Sequence, residues 1–245
     1  MNITRSWKKI LAVSCSHGSC ADPAALAAVL KFKADFKPQT VIHLGDFIDL
    51  PAMRSGAKGS SDESEPIRPD LDAGLDFLDA LGANIVFAGN HEVRLWRLRE
   101  HHNAIISELS SAIIERIEYR LRKRKAAFHL YDGIWQGIQL GNYRFMHGAG
   151  RGGMGALRQH ANAYGNCVIG HLHCAAMESG SRIEGSTAFC AGALVDAPNM
   201  DYASQNINST LRWNMGFVWG EYCADLCQLY LHVQPRGLKE WRLPI

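Results

Sequence analysis

Lys9-Ile10-Leu11-Ala12-Val13-Ser14 is a short, nearly continuous apolar run, and it delivers a polar turn, Cys15-Ser16-His17-Gly18-Ser19. A strand buried on both faces has this composition, because each of its side chains meets a packed layer rather than water. Asp22 then reads as an N-cap with Pro23 at the first helical position, and Ala24 to Phe36 is rich in helix formers until Pro38 stops it. Thr40-Val41-Ile42-His43-Leu44 repeats the strand pattern and ends in Gly45-Asp46-Phe47-Ile48-Asp49. The cycle runs a third time, with apolar residues at helical spacing over Asp70 to Leu81, a strand over Ala83 to Ala88, and the loop Gly89-Asn90-His91-Glu92. Alternating strands and helices predict an α/β architecture whose functional edge lies where the strands end.

Outward from this core, residues 92–125 read as helix in two pieces broken near His101-His102-Asn103. Short strands predominate from Ile138 onward: Tyr143 to Met146, Cys167 to Ile169, Thr187 to Ala191, Phe217 to Tyr222 and Gln228 to Val233. These predict a second sheet packed on the first. The Ser/Gly/Glu/Pro-rich stretch from Arg54 to Pro69 lacks periodicity and reads as a mobile surface loop near the site.

The whole chain, 245 residues with 47% hydrophobic and 20% charged, reads as one globular domain over residues 1–245, which excludes disordered and collagen-like classes. Twenty-six basic against 24 acidic residues give a formal net charge of +2, so only a local patch could attract nucleic acid. No apolar run approaches the roughly 20 residues of a membrane span. The run after the basic N-terminus is too short for a secretory signal, and seven scattered cysteines suit a reduced compartment. The expected location is a cytoplasm, with no membrane partner.

In order, the strand-end loops offer Cys15 and His17, Asp46 and Asp49, Asn90 and His91, His147, and His171 and His173. Carboxylate, imidazole and amide groups converging on one edge of a sheet suit two divalent ions sharing a site, with one carboxylate able to bridge them.

The ordered set resembles the calcineurin-like metallophosphoesterase superfamily, whose blocks are D-x-H, G-D-x-x-D, G-N-H-[DE], a lone H, and G-H-x-H. Asn90 to Arg94, Gly192-Ala-Leu-Val-Asp196, Tyr202 and Trp213-x-x-Gly-Phe217 are similar to a phage and prophage branch of it. The resemblance implies a four-layer α/β/β/α sandwich of two mixed β-sheets. It implies one metal held by position 15, His17, Asp46 and His173, and a second by Asp46, Asn90, His147 and His171, with Asp46 and a hydroxide bridging. By the same analogy His91 is the general acid for the leaving oxygen and Asp49 orients it, while Asn90 and His91 also meet substrate. The cofactors implied are two divalent or trivalent ions of zinc, manganese or iron.

The chain departs from its relatives at position 15, where Cys15 replaces the family's aspartate. A thiolate there keeps the charge but softens the donor set toward zinc or iron; the alternative is a small buried hydrophobe beside a weakened first site. Gly148-Ala-Gly-Arg-Gly-Gly-Met-Gly155 can be an anion-cradling loop, with Arg151 its phosphate contact, or a plain connection. His43 reads as a satisfied core histidine, and His101, His102, His129 and His160 as solvated. Arg120 to Lys125 reads as a solvated helix end, with a phosphate-backbone patch as the alternative. Cys223 and Cys227 read as core packing.

The activity expected from the resemblance is hydrolysis of a phosphodiester by the two-metal route. Leu50-Pro51 follow Asp49, where the superfamily's protein phosphatases place an arginine that clamps a phosphomonoester dianion. A DNA or RNA nuclease, a phosphomonoesterase and a non-catalytic binding module of the same fold are the alternatives.

Overall fold

The computed structural model describes residues 6–54, 56–131, 137–150, 155–195, 200, 210–238 and 240–244. Six strands form one sheet: β1 (Lys8–Val13), β2 (Thr40–His43), β3 (Ile85–Phe87), β4 (Ala127–His129), β10 (Gly216–Tyr222) and β11 (Cys227–Val233). Their spatial order is β11-β10-β1-β2-β3-β4, parallel from β1 to β4 and antiparallel where β10 joins β1 and β11. The second sheet contains β5 (Ile138–Leu140), β6 (Tyr143–Phe145), β7 (Cys167–Ile169), β8 (Ala175–Ser179) and β9 (Thr187–Ala191), in the order β5-β6-β7-β9-β8. It too is mixed, with β6-β7-β9 parallel.

The helices are α1 (Pro23–Phe36), α2 (Ile67–Leu81), α3 (Val93–Leu98), α4 (Ala104–Lys123) and α5 (Ala156–Tyr164). Asp22 caps α1 by accepting the Ala25 N–H at 2.8 Å, with Pro23 inside it as its sequence implies. The two-residue alternation of β1 shows how the layers stack. Leu11 and Val13 face α1, α2 and α4 in the largest apolar cluster, which also holds Val29, Phe32, Leu75 and Ile117. Ile10 and Ala12 face the other way, into a cluster with Phe145, Val168 and Phe189 of the second sheet. A third cluster packs Leu157 and Ala161 of α5 on the far side of that sheet. Three apolar seams separate four layers, the α/β/β/α sandwich of two mixed sheets that the resemblance implied.

Phe32 is fully buried, with its ring 4.7 Å from Phe217 and 5.3 Å from Phe36. Phe32→Ala is expected to cost about 3–5 kcal/mol, read as a lower urea midpoint at unchanged slope. A loss under about 1 kcal/mol would mean that this seam is not a packed core.

The stretch after Asp49 departs from expectation. It holds short 3-10 turns at Pro51–Met53 and Ser61–Ser64, and α2 begins at Ile67 rather than Asp70. Arg54 fastens it by pairing with Asp62 at 2.7 Å and approaching Asp49 at 3.7 Å. The basic run at the end of α4 is also partly committed. Arg120 reaches Asp76 at 2.8 Å and Asp79, and Arg124 reaches Asp79 at 3.0 Å, all across to α2. These guanidiniums brace two helices, which leaves less of the run to meet a phosphate backbone. His160, expected in solvent, is buried because it ties a loop: it accepts the Ala149 N–H at 3.1 Å and donates to the Ala156 carbonyl at 2.8 Å. His43 is the buried, satisfied histidine expected, held between Ser16 and the Gly45 N–H.

Candidate metal centre

The ladder between β1 and β2 does not stop where the strands end. Cys15 N–H donates to Gly45 O, His17 N–H to Asp46 O and Gly18 N–H to Phe47 O, each at 3.0 Å, so the two loops run side by side. Gly45 and Gly89 meet at the next junction. A Cβ on Gly45 would lie 2.6 Å from His147 Nδ1 and 2.8 Å from Gly89 N, and one on Gly89 would lie 2.1 Å from Asp46 Oδ1. The glycines of the Gly-Asp and Gly-Asn blocks are thus where backbones touch. Five of the candidate ligands, Cys15, His17, Asp46, His171 and His173, adopt left-handed backbone with φ from 49° to 59°. Such conformations cost roughly 1–3 kcal/mol each and persist only where the surroundings enforce them. Here hydrogen bonds do so, among them Leu194 N–H to Cys15 O at 3.0 Å and Asn214 N–H to His173 O at 2.9 Å.

Among the described residues the donor atoms gather in three groups: two share Asp46, and the third is His17, Asp49 and His91. Cys15, His17, Asp46 and His173 each offer an atom within 4.8 Å of the others, and so do Asp46, His147 and His171. Asn90 completes the second group, with Oδ1 3.0 Å from His147 Nε2 and 2.8 Å from His171 Nδ1. Ligand bonds of about 2.0–2.2 Å place neighbouring donors about 3.0–3.5 Å apart around one ion. His17 Nε2 and His173 Nε2 at 3.0 Å, and His147 Nε2 and Asp46 Oδ2 at 3.3 Å, fit that spacing.

The proton inventory also fits a cation. The Leu44 carbonyl, 2.8 Å from His147 Nδ1, can only accept, so Nδ1 carries the proton. Gly150 O, 2.5 Å from His171 Nε2, fixes that ring the same way. With both rings neutral, His147 Nε2 and His171 Nδ1 are lone pairs that converge with Asn90 Oδ1, and Asp46 Oδ2 faces the His147 nitrogen as well. Acceptors facing acceptors repel unless a positive charge lies between them. The Asp49 carboxylate does for His17 what Leu44 does for His147, taking its Nδ1 proton at 2.9 Å.

A family model for calcineurin-like phosphoesterases matches residues 8–175, every block from Cys15 to His173. The chain belongs to the calcineurin-like phosphoesterase family. The Gene 54 proteins of Mycobacterium phages D29 and L5 are 36% and 32% identical to it over 94 residues. That match takes in 36% of this chain, which thereby spans 37% of the length of each phage protein. Two solved structures resemble it: Yfce, a phosphoesterase from E. coli (TM-score 0.39, 17% identity, 86% of this chain and 91% of that one), and Vacuolar Protein Sorting 29 from Cryptosporidium parvum (TM-score 0.45, 12% identity, 95% and 94%).

In this calcineurin-like phosphoesterase the charges at the site are buried. Burial opposes ionisation of Asp46, but His147, His91 and His17 outweigh it and hold the carboxyl well below the usual range. His147 is the counterpart: burial disfavours its charge, Asp46 favours it, and its proton affinity ends above the ordinary value. Without a metal, a proton is the cation between them. Burial and His147 push His171 down to about 4, and burial and His17 push His173 well below 6.5, leaving both rings neutral as ligands must be. Burial and Asp46 raise the Cys15 thiol well above its usual value, so only a bound cation would make it a thiolate there. The His171 N–H, 3.2 Å from Cys15 Sγ, is aimed to stabilise that charge.

His91 stands beside these groups, its Nδ1 2.9 Å from Asp49 Oδ1 and 3.2 Å from the Asp49 carbonyl. Asp49 therefore holds His17 and His91 together. All the sequence-derived site residues are gathered here except Arg151, which lies outside the described residues, as do Asp196 and Tyr202 of the phage-like motifs. Glu92 receives no role from the sequence, although it lies within a motif. Glu92, fully buried, accepts the N–H groups of Asp46, Ile48 and Gly89 at 2.7–3.0 Å and so staples the loops after β2 and β3. Its place as the last letter of Gly-Asn-His-Glu is the available signal.

Proposed function

We propose that the protein hydrolyses phosphodiesters at a dinuclear metal centre held by Cys15, His17, Asp46 and His173 on one side and Asp46, Asn90, His147 and His171 on the other. The observation that carries this reading is the sharing of Asp46. Its Oδ1 is committed to the His91 N–H at 2.9 Å, and its Oδ2 lies 3.3 Å from His147 and 4.0 Å from His17, facing both groups. Two bound cations supply an activated water and neutralise the phosphoryl oxygens. The chain's own residues do the rest. Asp49, by taking the Nδ1 proton of His91, keeps Nε2 as the end that delivers a proton to the leaving oxygen. The half-exposed Asn90 carboxamide offers its N–H groups to substrate once its oxygen is a ligand. Diester preference is supported at position 50, where Leu50 is 1% exposed and brings no positive charge to meet the second negative charge of a phosphomonoester. The thiolate favours zinc or iron on its side, whereas the harder set of Asp46, Asn90 and two imidazoles also suits manganese.

Metal analysis combined with turnover of bis-p-nitrophenyl phosphate, p-nitrophenyl phosphate and single-stranded DNA tests the reading. Two equivalents of metal, chelator-sensitive turnover and faster diester than monoester hydrolysis are expected. Full turnover with one ion or none overturns the dinuclear centre. Monoester preference, DNA degradation or no turnover would replace the diesterase by a phosphomonoesterase, a nuclease or a binding module.

A further inference from the structure

We infer that Asp70, on α2 and outside every ligand-bearing block, is the positioning residue of the Cys15–His17 side of the centre; this rests on the dinuclear reading above. Asp70 is 1% exposed, and both of its oxygens are taken by other loops. Oδ1 accepts the Ser19 N–H at 2.9 Å and the Ser19 hydroxyl at 3.0 Å, while Oδ2 accepts the Asp49 N–H at 3.0 Å and the Leu50 N–H at 2.9 Å. One side chain thereby joins the loop that carries Cys15 and His17 to the loop that carries Asp46 and Asp49.

An acidic residue in the first turn of a helix ordinarily complements the helix dipole. Asp70 occupies that turn, yet its oxygens accept from Ser19, Asp49 and Leu50 and from no N–H of α2. The fit is close. A Cβ on Gly18, whose φ is +52°, would lie 2.3 Å from Asp70 Oδ1, so the carboxylate is seated against the backbone one residue past His17. Its grip reaches the His17 ring by two routes. Ser19 fixes the loop from behind, and Asp49, whose N–H Asp70 holds, takes the Nδ1 proton of His17 at 2.9 Å. A carboxylate is required because four donors converge on it. An asparagine in its place would have to turn an NH₂ toward one pair of them, loosening either the Ser19 side or the Asp49 side.

The test is a cobalt(II) and zinc(II) titration of the metal-stripped chain against a competing chelator. Unmodified protein, Asp70→Asn and Leu75→Ala are compared, the last being a cavity control on the same helix, at a site 1% exposed. In unmodified protein two binding constants are expected, one of them marked in the cobalt form by a near-ultraviolet sulfur-to-metal band. Asp70→Asn should weaken that constant by roughly 10–100-fold, the usual worth of partners that orient ligands, and leave the other within about twofold. Leu75→Ala should lower the melting temperature and leave both constants unchanged. An unchanged band-bearing constant in Asp70→Asn, an equal loss at both sites, or an equal loss in Leu75→Ala overturns the inference alone. Unmodified protein that takes up no cation overturns the dinuclear reading, and this inference with it. Should Asp70→Asn not fold, Ser19→Ala removes one donor from an exposed residue, and the band-bearing constant should fall severalfold; no change there overturns the inference.

Discussion

Replacing His91 with alanine is expected to lower turnover of a diester with an alkyl leaving group by roughly 10²–10⁴-fold, the range a positioned general acid contributes, with metal content unchanged. The ring is grouped with His17 and Asp49 and belongs to neither donor group that shares Asp46. What His91 gives Asp46 is its backbone N–H, at 2.9 Å from Oδ1, and alanine keeps that bond. Asp49 keeps the His17 Nδ1 proton as a partner at 2.9 Å, so the Cys15–His17 side is not stripped of its brace. The loss should shrink with the leaving group's own acidity, because a nitrophenolate departs without a proton and an alkoxide does not. The comparison to make is therefore the ratio of turnover on an alkyl ester to that on a nitrophenyl ester, with metal analysis on the same samples. Departure of metal on substitution, or an alkyl ester hydrolysed at the original rate, would remove His91 from the acid's role.

Cys15→Ser is expected to empty one side of the centre. The hydroxyl is a neutral donor of high pKa in place of a thiolate, and the cation held with His17 and His173 should bind more weakly by more than the roughly 10–100-fold that outer partners are worth. The Asn90–His147–His171 side should stay filled. Cys15→Asp, restoring the oxygen ligand of the family, should keep activity and shift preference from zinc or iron toward manganese or magnesium. If Cys15→Ser retained two equivalents of metal, the same metal preference and full turnover, the sulfur would be packing, in keeping with its place in the apolar cluster of Ala193, Val195 and Met200.

The strands that build the site are legible because burial on both faces leaves a continuous apolar signature. Cys167–Ile169 and Thr187–Ala191 fall where the residues place them. Edge strands carry less of that signature. β8 alternates buried and exposed residues and ends in Glu178-Ser179, and β4 is three residues long; neither is evident from sequence. The convergence of the candidate ligands is legible for a chemical reason: imidazole and carboxylate at strand ends, in the order that carries the family resemblance, are recognisable by type. Asp70 is not, since an aspartate in the first turn of a helix is commonplace and its four donors come from three residues in loops far away in sequence. The short turns within the Arg54–Pro69 stretch are illegible for a related reason. Polar composition there carries no period, whereas the pairing of Arg54 with Asp62 depends on tertiary placement.

β1 lies between β2, its near neighbour in sequence, and β10, which sets Tyr222 opposite Lys8. The backbone of Cys15 is held by Leu194 and that of His173 by Asn214, so the left-handed turns bearing these ligands depend on chain that follows all the blocks. Contacts of such long separation form late and slowly in folding. A nascent chain that has produced its last histidine ligand still lacks the strand beside β1 and the hydrogen bonds that shape the pocket. A protein made without metal is therefore expected to fold and to take up metal afterwards; a melting transition that appears only once metal is added would overturn that order.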